Sequence, residues 1–466
     1  MSVTPVAARH SAASGSTVTV IPHAAAQILQ YDGTSRYGRS SPSIAAPYPP
    51  ARFGAGDRYA VTVRVMSAPP TSGPTSGRSV FAPAALGPVE LRNRIVKAAT
   101  FEGMSPKNLV SPELIEFHRR MAAGGVGMTT VAYIAVSKDG RGAPNEIFVH
   151  DGAADGLAEI AAVVHGEGAK ISAQLGHAGA VGLMPGKRVL GPSSAITMMG
   201  SKVEPISAAE IDEVVGQFGA GARLLAEAGF DCVEIHLGHH YLPSSFMSPK
   251  WNKRKDDYGG SVENRARFPL AIIRAVHEAV GGRMAITAKM NMDDGIKKGL
   301  HPEESIRFAK LFEAEGKLDA LELSGGGSQV NQMYMFRGDA PRKEFAEVLP
   351  PKLKLGFKVV GPLVFRNYPF EEAYFLPMAR RFRKELSMPL ILLGGINRLD
   401  TIESALAEGF DFVALGRALV RDPDLVNKWR DGTAGEGNCI HCNKCMVAIY
   451  SGTRCVIDHP APLQFT

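Results

Sequence analysis

A chain of 466 residues with 45% hydrophobic and 21% charged side chains is long enough to bury a large core without disulfides. Five cysteines are too few for a secreted disulfide scaffold, and no apolar run is long enough to cross a bilayer. The formal charge of +6 sits mostly at the N-terminus, where residues 1–65 hold six arginines against Asp32 and Asp57. The rest of the chain is nearly neutral, which argues against a broad nucleic-acid footprint.

Residues 1–78 are rich in Ala, Ser, Gly and Pro and contain neither Glu nor Lys. Such a segment buries too little apolar surface to offset its ordering entropy, so it is expected to be a disordered extension. Its arginines and serines suit an organelle transit peptide; equally, translation starting at Met66 would make the upstream residues non-native. The expected compartment is therefore the cytoplasm, or an organelle if residues 1–65 are a transit peptide.

From Val89 onward, short apolar runs recur, each followed by a polar or Gly-rich junction and a helical pattern. Eight are counted: Arg94–Ala98, Gly127–Ile134, Lys170–Leu175, Cys232–His236, Ala285–Met290, Ala320–Ser324, Leu390–Leu393 and Phe412–Leu415. Near-continuous apolar runs of this length suit strands buried on both faces. Eight βα units in series predict an α/β fold, a (β/α)8 TIM barrel over residues 79–435, followed by a Cys-containing tail over 436–466. A doubly wound open sheet is the alternative.

The helices carry start and stop signals. Ser207 and Glu210 form a capping box ahead of Ile211, Val214, Val215, Phe218 and Leu225, and Gly229 ends that helix. Asp400 and Glu403 repeat the pattern, with Ile402 and Leu406 inward and Gly409 at the stop. Two segments exceed a minimal barrel, from about Gly179 to Pro205 and from Gly325 to about Tyr368. Both follow strands and belong at the C-terminal mouth, where barrels build sites and lids.

The seventh strand ends in Leu393-Gly394-Gly395-Ile396 and the eighth in Leu415-Gly416-Arg417. In barrels these two loops often form a phosphate site: Gly lets backbone N–H groups approach, and Arg417 adds a bidentate charge. The bland reading is that the glycines only make tight turns. No GxGxxG follows the first strand, which argues against a Rossmann dinucleotide domain. After the fourth strand, His236 and His239 stand three positions apart and suit a pair of donors to one carbonyl oxygen, with Tyr241 as a proton source. A metal pair is the rival reading, without an obvious third ligand nearby.

The run SPKWNKRKDDYGGSVENRARF at Ser248–Phe268 resembles the signature after the fourth strand of the old yellow enzyme family. LRNRIVKAA at Leu91–Ala99, AQLGHAG at Ala173–Gly179 and LGRALVRDP at Leu415–Pro423 extend the resemblance through nearly all of residues 80–435. The resemblance implies FMN over the barrel mouth, reduced by NAD(P)H and reoxidised by an electron-poor alkene or related small-molecule acceptor. It places Ala99, Thr100 and Ala132 against the flavin, Gln174 on its pyrimidine edge, and Gly394, Gly395, Gly416 and Arg417 on its phosphate. It makes His236 and His239 the holders of a substrate carbonyl and Tyr241 a proton donor.

Three positions depart from the family pattern. Lys289 stands where many relatives have an arginine near flavin N1 and O2, a point charge rather than a planar fork. Phe101 falls where relatives often carry Thr or Cys beside the flavin. Cys439, Cys442, Cys445 and Cys455 run C-x2-C-x2-C-x9-C, close to the iron–sulfur spacing of the 2,4-dienoyl-CoA reductase branch but shorter. Four thiolates in this order suit iron–sulfur or zinc, with buried unliganded thiols as the alternative. That branch also has a second flavin and a nucleotide domain, for which the residues after Cys455 leave no room. The expected activity is an NAD(P)H-dependent ene-reductase; amine oxidation on the same barrel and a flavin-binding protein of low turnover are the competing readings. The partners expected are small molecules, not nucleic acid or membrane, with a homo-oligomer left open.

Overall fold

Eight parallel strands close into a barrel in the computed structural model, which describes residues 78–460 except 183, 185–187, 198–199, 350–353, 355–356, 358–360 and 363–364. Apart from Arg78, the N-terminal extension therefore lies outside the described residues, and so do residues 461–466. The barrel strands are Ile95–Lys97, Met128–Ala135, Lys170–Gly176, Cys232–Leu237, Ala285–Asn291, Ala320–Ser324, Leu390–Leu393 and Phe412–Leu415. Each overlaps one predicted run. Val413 lies beside Ile95 and Val96 beside Met128, so the first strand bridges the eighth and the second. That closure excludes the open doubly wound sheet.

Strand composition follows from burial on both faces: every residue of the fourth, fifth, sixth and eighth strands is buried. Ahead of the barrel, Ala84–Leu86 pairs antiparallel with Val89–Leu91. This hairpin packs Leu86 and Leu91 against Val96, Met128, Cys232, Ala285, Ala320, Ile391 and Phe412, plugging the barrel floor. The plug leaves the opposite, C-terminal end as the open mouth.

Helix Ala208–Glu227 has the predicted capping box, with both reciprocal bonds of Ser207 and Glu210 present. Gly229 takes the left-handed conformation after it (φ 83°). The second predicted cap shifts. Helix Leu399–Ala407 starts after Arg398, and Asp400 sits inside its first turn, paired with the Arg398 guanidinium. The Glu372 carboxylate accepts from the backbone N–H of Asn397 (2.8 Å) and Arg398 (3.1 Å) instead, so a group distant in sequence ties down the residues entering this helix.

The two long insertions do rise at the mouth. The first builds a small sheet of Val189–Gly191, Ala195–Ile196 and Lys202–Pro205. The second carries short helices Gln332–Met335 and Arg342–Val348. The C-terminal segment folds back over the same end: Thr453 donates from its N–H to Glu102 O (2.8 Å) and from its hydroxyl to Phe101 O (2.6 Å). Among the described residues, no helix is long and apolar enough to cross a membrane.

Candidate active site

A cavity of about 690 Å3 opens at the barrel mouth. The structure brings every non-cysteine residue predicted for the site to its wall: Ala99 and Thr100 from the first strand's end, Ala132 from the second, Gln174 from the third. His236, His239 and Tyr241 follow the fourth, Lys289 lies on the fifth, and Gly394, Gly395, Gly416 and Arg417 close the far side.

His236 and His239 face each other with ring centroids 5.1 Å apart, and Tyr241 packs on His236 at 4.2 Å. Burial drives the imidazolium form of His236 well below its usual range, helped by His239 and the Lys289 ammonium. Burial and Lys289 bring His239 down to about 3. Both rings are therefore neutral near pH 7, each with one N–H to give. They are not equivalent. His239 Nε2 lies 2.8 Å from the Ser324 hydroxyl, whereas His236 Nδ1 is buried with no partner. Burial also raises the Tyr241 phenol, with the Glu146 carboxylate reinforcing it, so the hydroxyl keeps its proton.

The floor of the cavity is ionic. Lys289 Nζ sits 2.9 Å from Glu234 Oε1 and 3.0 Å from Glu322 Oε1. Gln174 Nε2 donates to Glu234 at 2.6 Å. A carboxylate only accepts, so this bond fixes the amide: its nitrogen faces Glu234 and its oxygen remains for a donor such as an imide N–H. Register explains the convergence, because Gln174 neighbours Glu234 and Lys289 neighbours Glu322 on adjacent strands.

On the opposite wall, Gly394 (φ 118°) and Gly395 (φ 72°) adopt backbone conformations closed to most side chains. A Cβ on Gly395 would lie 2.4 Å from the Tyr374 ring, so the cradle exists only with glycine there. Arg417 opens the short helix Arg417–Arg421 and is held by Arg337 O (2.9 Å) and the Asn443 side chain. The Thr100 hydroxyl is buried on the cavity wall without a partner. Glycine cradle, guanidinium, oriented amide and orphaned hydroxyl together fit FMN.

Cys439, Cys442, Cys445 and Cys455 are free thiols, and among the described residues no three His, Cys, Asp or Glu side chains converge on a point that could hold an ion. Cys445 instead lines the cavity, its thiol pushed up to about 12 by burial. Sequence reasoning treated residues 436–466 as an appendage and so missed His441, Met446, Tyr450 and Thr453 on the cavity wall. It also missed Glu146, Tyr133 and the aromatic side chains Phe336, Phe345, Phe357 and Phe365 of the long insertion. The only signal was an excess of aromatics in a loop too long to be a connector.

The sequence profile of the NADH:flavin oxidoreductase / NADH oxidase family matches residues 79–324. The chain belongs to this family. It is an NAD(P)H:flavin oxidoreductase of the old yellow enzyme type, and membership implies FMN and NAD(P)H. A 4,4'-dithiodibutanoate disulfide reductase from Rhodococcus erythropolis is 53% identical over 391 residues, 83% of this chain and 96% of that protein. An NADH oxidase from Thermoanaerobacter brockii is 32% identical over 78% of this chain, which spans only 53% of that relative. Among solved structures, a 2-naphthoyl-CoA reductase in complex with 2-naphthoyl-CoA is 25% identical with a TM-score of 0.66, over 80% of this chain and 55% of that one. Morphinone reductase shares the fold (TM-score 0.60, 22% identical, 78% and 93% covered). A profile of histidine biosynthesis proteins matches residues 371–452 alone.

Proposed function

We propose that the chain reduces small electron-poor acceptors that gain negative charge at one atom, with α,β-unsaturated carbonyls as the leading class. The observation that carries this is the unpartnered His236 Nδ1, buried beside His239 and Tyr241 in the same cavity as the flavin cradle. FMN reduced by NAD(P)H supplies the hydride. The protein holds the acceptor's oxygen at the two neutral imidazoles, which stabilise the charge that develops there without first having to lose a proton. Tyr241, kept protonated by burial, delivers the proton.

A second reading is favoured by the disulfide reductase relative, which this chain matches along almost its whole length. In an aliphatic disulfide, hydride to one sulfur breaks the S–S bond and the other leaves as a thiolate. The same imidazoles would hold that thiolate and Tyr241 would protonate it, so two thiols result from one NAD(P)H and one proton. An iron–sulfur or zinc site at the four cysteines would require their thiols to be drawn together, and no step is assigned to it.

The test is anaerobic turnover with NADH and NADPH against a cyclic enone and an aliphatic disulfide. Oxidation of reduced enzyme by at least one of them, with saturated ketone or free thiol as product, is expected; reduced enzyme that neither acceptor reoxidises, and that only air admitted afterwards does, defeats the proposal. Arg417→Ala should weaken FMN retention by about 1.5 kcal/mol, roughly tenfold, the lower end for a charged contact. The low figure follows because Arg417 already spends donors on Arg337 and Asn443. Released flavin measured after dialysis checks this, and FAD or no flavin in the wild type would overturn the cofactor assignment.

A further inference from the structure

Three ionisable side chains on neighbouring strands do more than the acceptor chemistry requires. Glu234, Lys289 and Glu322 are each at most 3% exposed, and one ammonium serves two carboxylates. Among the described residues no other cation forms an ion pair with either carboxylate. Lys97 on the first strand is spent on Glu102 at 2.8 Å, which also has His118 Nε2 at 3.6 Å. His236 and His239, on the mouth side, are neutral. The second, third, seventh and eighth strands present no charged side chain beyond the terminal Lys170, and the one titratable group among them, the Tyr133 phenol, is kept protonated by burial. Fully ionised, the trio would bury one uncompensated negative charge, which a protein interior strongly disfavours.

Two carboxylates in one site avoid that cost by keeping a proton between them. Glu322 is the one to hold it. Its Oε1 lies 3.0 Å from Lys289 Nζ yet accepts no well-directed hydrogen bond, whereas Glu234 Oε1 takes both Lys289 and Gln174. Burial, with Glu234 adding to it against the pull of Lys289, lifts Glu322 to about 8. Lys289 and Gln174 both reach the cavity, so the trio is in electrical contact with whatever occupies it.

We propose that Glu234, Lys289 and Glu322 form a proton store in the cavity floor, which holds one carboxyl proton and refills from solvent as electrons enter the site. The inference rests on the FMN reading. Two electrons and one proton arrive as hydride from NAD(P)H. The negative charge this brings to the cavity raises the proton affinity of the nearby carboxylates. Where Glu322 has lost its proton, one more proton then enters from solvent, and the only bond formed in the protein is a carboxyl O–H. Below about pH 8 the store is full in both redox states and no extra proton moves. Above it, the store is empty in the oxidised enzyme and fills on reduction, adding one proton per two electrons.

The experiment is a spectroelectrochemical titration of the holoenzyme from pH 6 to 10. Below the break the potential should fall with pH as for a flavin taking up one proton per two electrons, and above it about twice as steeply. Glu322→Gln should abolish the break. Glu234→Gln should move it to lower pH, since Glu322 alone beside Lys289 ionises more easily. Independently, oxidised holoenzyme near neutral pH should show an infrared band of a buried carboxylic acid that Glu322→Gln lacks. A single slope in the wild type with FMN bound, or an unchanged band in Glu322→Gln, would overturn the proton store while leaving the flavin assignment intact. Failure to recover FMN would overturn both.

Discussion

Replacing His236 with Ala should weaken binding of a para-substituted phenol to the oxidised enzyme by about 10- to 150-fold, or about 1.5–3 kcal/mol. A phenolate is an acceptor oxygen fixed in its charged form, and the bond lost is charge-assisted in a partly desolvated site. The structure makes the pair unequal. His236 Nδ1 has no other partner, whereas His239 already shares Nε2 with Ser324. His239→Ala should therefore cost less than His236→Ala. Tyr241→Phe should spare phenol binding and slow only acceptor turnover, since it removes a proton source and leaves the donors in place. Spectroscopic titration of phenol into the three variants, beside stopped-flow of both half-reactions, separates these outcomes. Unchanged phenol affinity in His236→Ala would remove His236 from the acceptor site.

The strands were legible in the sequence because barrel strands are buried on both faces, and a run such as Leu390–Leu393 leaves little choice of partner for its side chains. The glycine pair at the cavity wall was legible for a different reason. Gly394 and Gly395 take positive φ against an aromatic wall, and that geometry excludes other residues from the positions where the motif had pointed. What stayed hidden depends on partners distant in sequence. Asp400 looked like a helix cap, but the Glu372 carboxylate occupies the backbone N–H groups that enter that helix. The hairpin Ala84–Leu91 precedes the first apolar run that was counted, and its function as a floor plug exists only once the barrel closes. Likewise Tyr450, Cys445 and His441 reach the cavity because the chain folds back through Asn443 and Thr453, whose bonds go to Phe336, Asp339, Phe101 and Glu102. Nothing in the local pattern of that segment encodes such a path.

The loop carrying the histidines gives the second large effect, through a residue that touches no substrate. His239 and His240 both adopt left-handed backbone conformations (φ 59° and 66°), uncommon for side chains of this size. They are held there from three sides. The Asn291 amide oxygen accepts from His239 N–H at 3.1 Å, Ser328 N–H donates to His239 O at 3.2 Å, and the His240 ring is wedged between Trp251 and Asp294. Gly327 closes the remaining side: a Cβ there would lie 2.2 Å from His240 Nδ1, with no room for the ring to retreat. Gly327→Ala should therefore displace the turn, costing about 1–3 kcal/mol of stability as an overpacked core does. A shift on the order of 1 Å in His239 should lower acceptor turnover about a hundredfold. FMN retention should hold, because the cradle stands on the seventh and eighth strands, away from this turn. The double variant Gly327→Ala/His240→Ala removes the ring that causes the collision, and should be more stable than Gly327→Ala alone, a non-additivity that a double-mutant cycle reads directly. Wild-type turnover in Gly327→Ala, or a double variant no more stable than the single one, would show that the turn is not held by this contact.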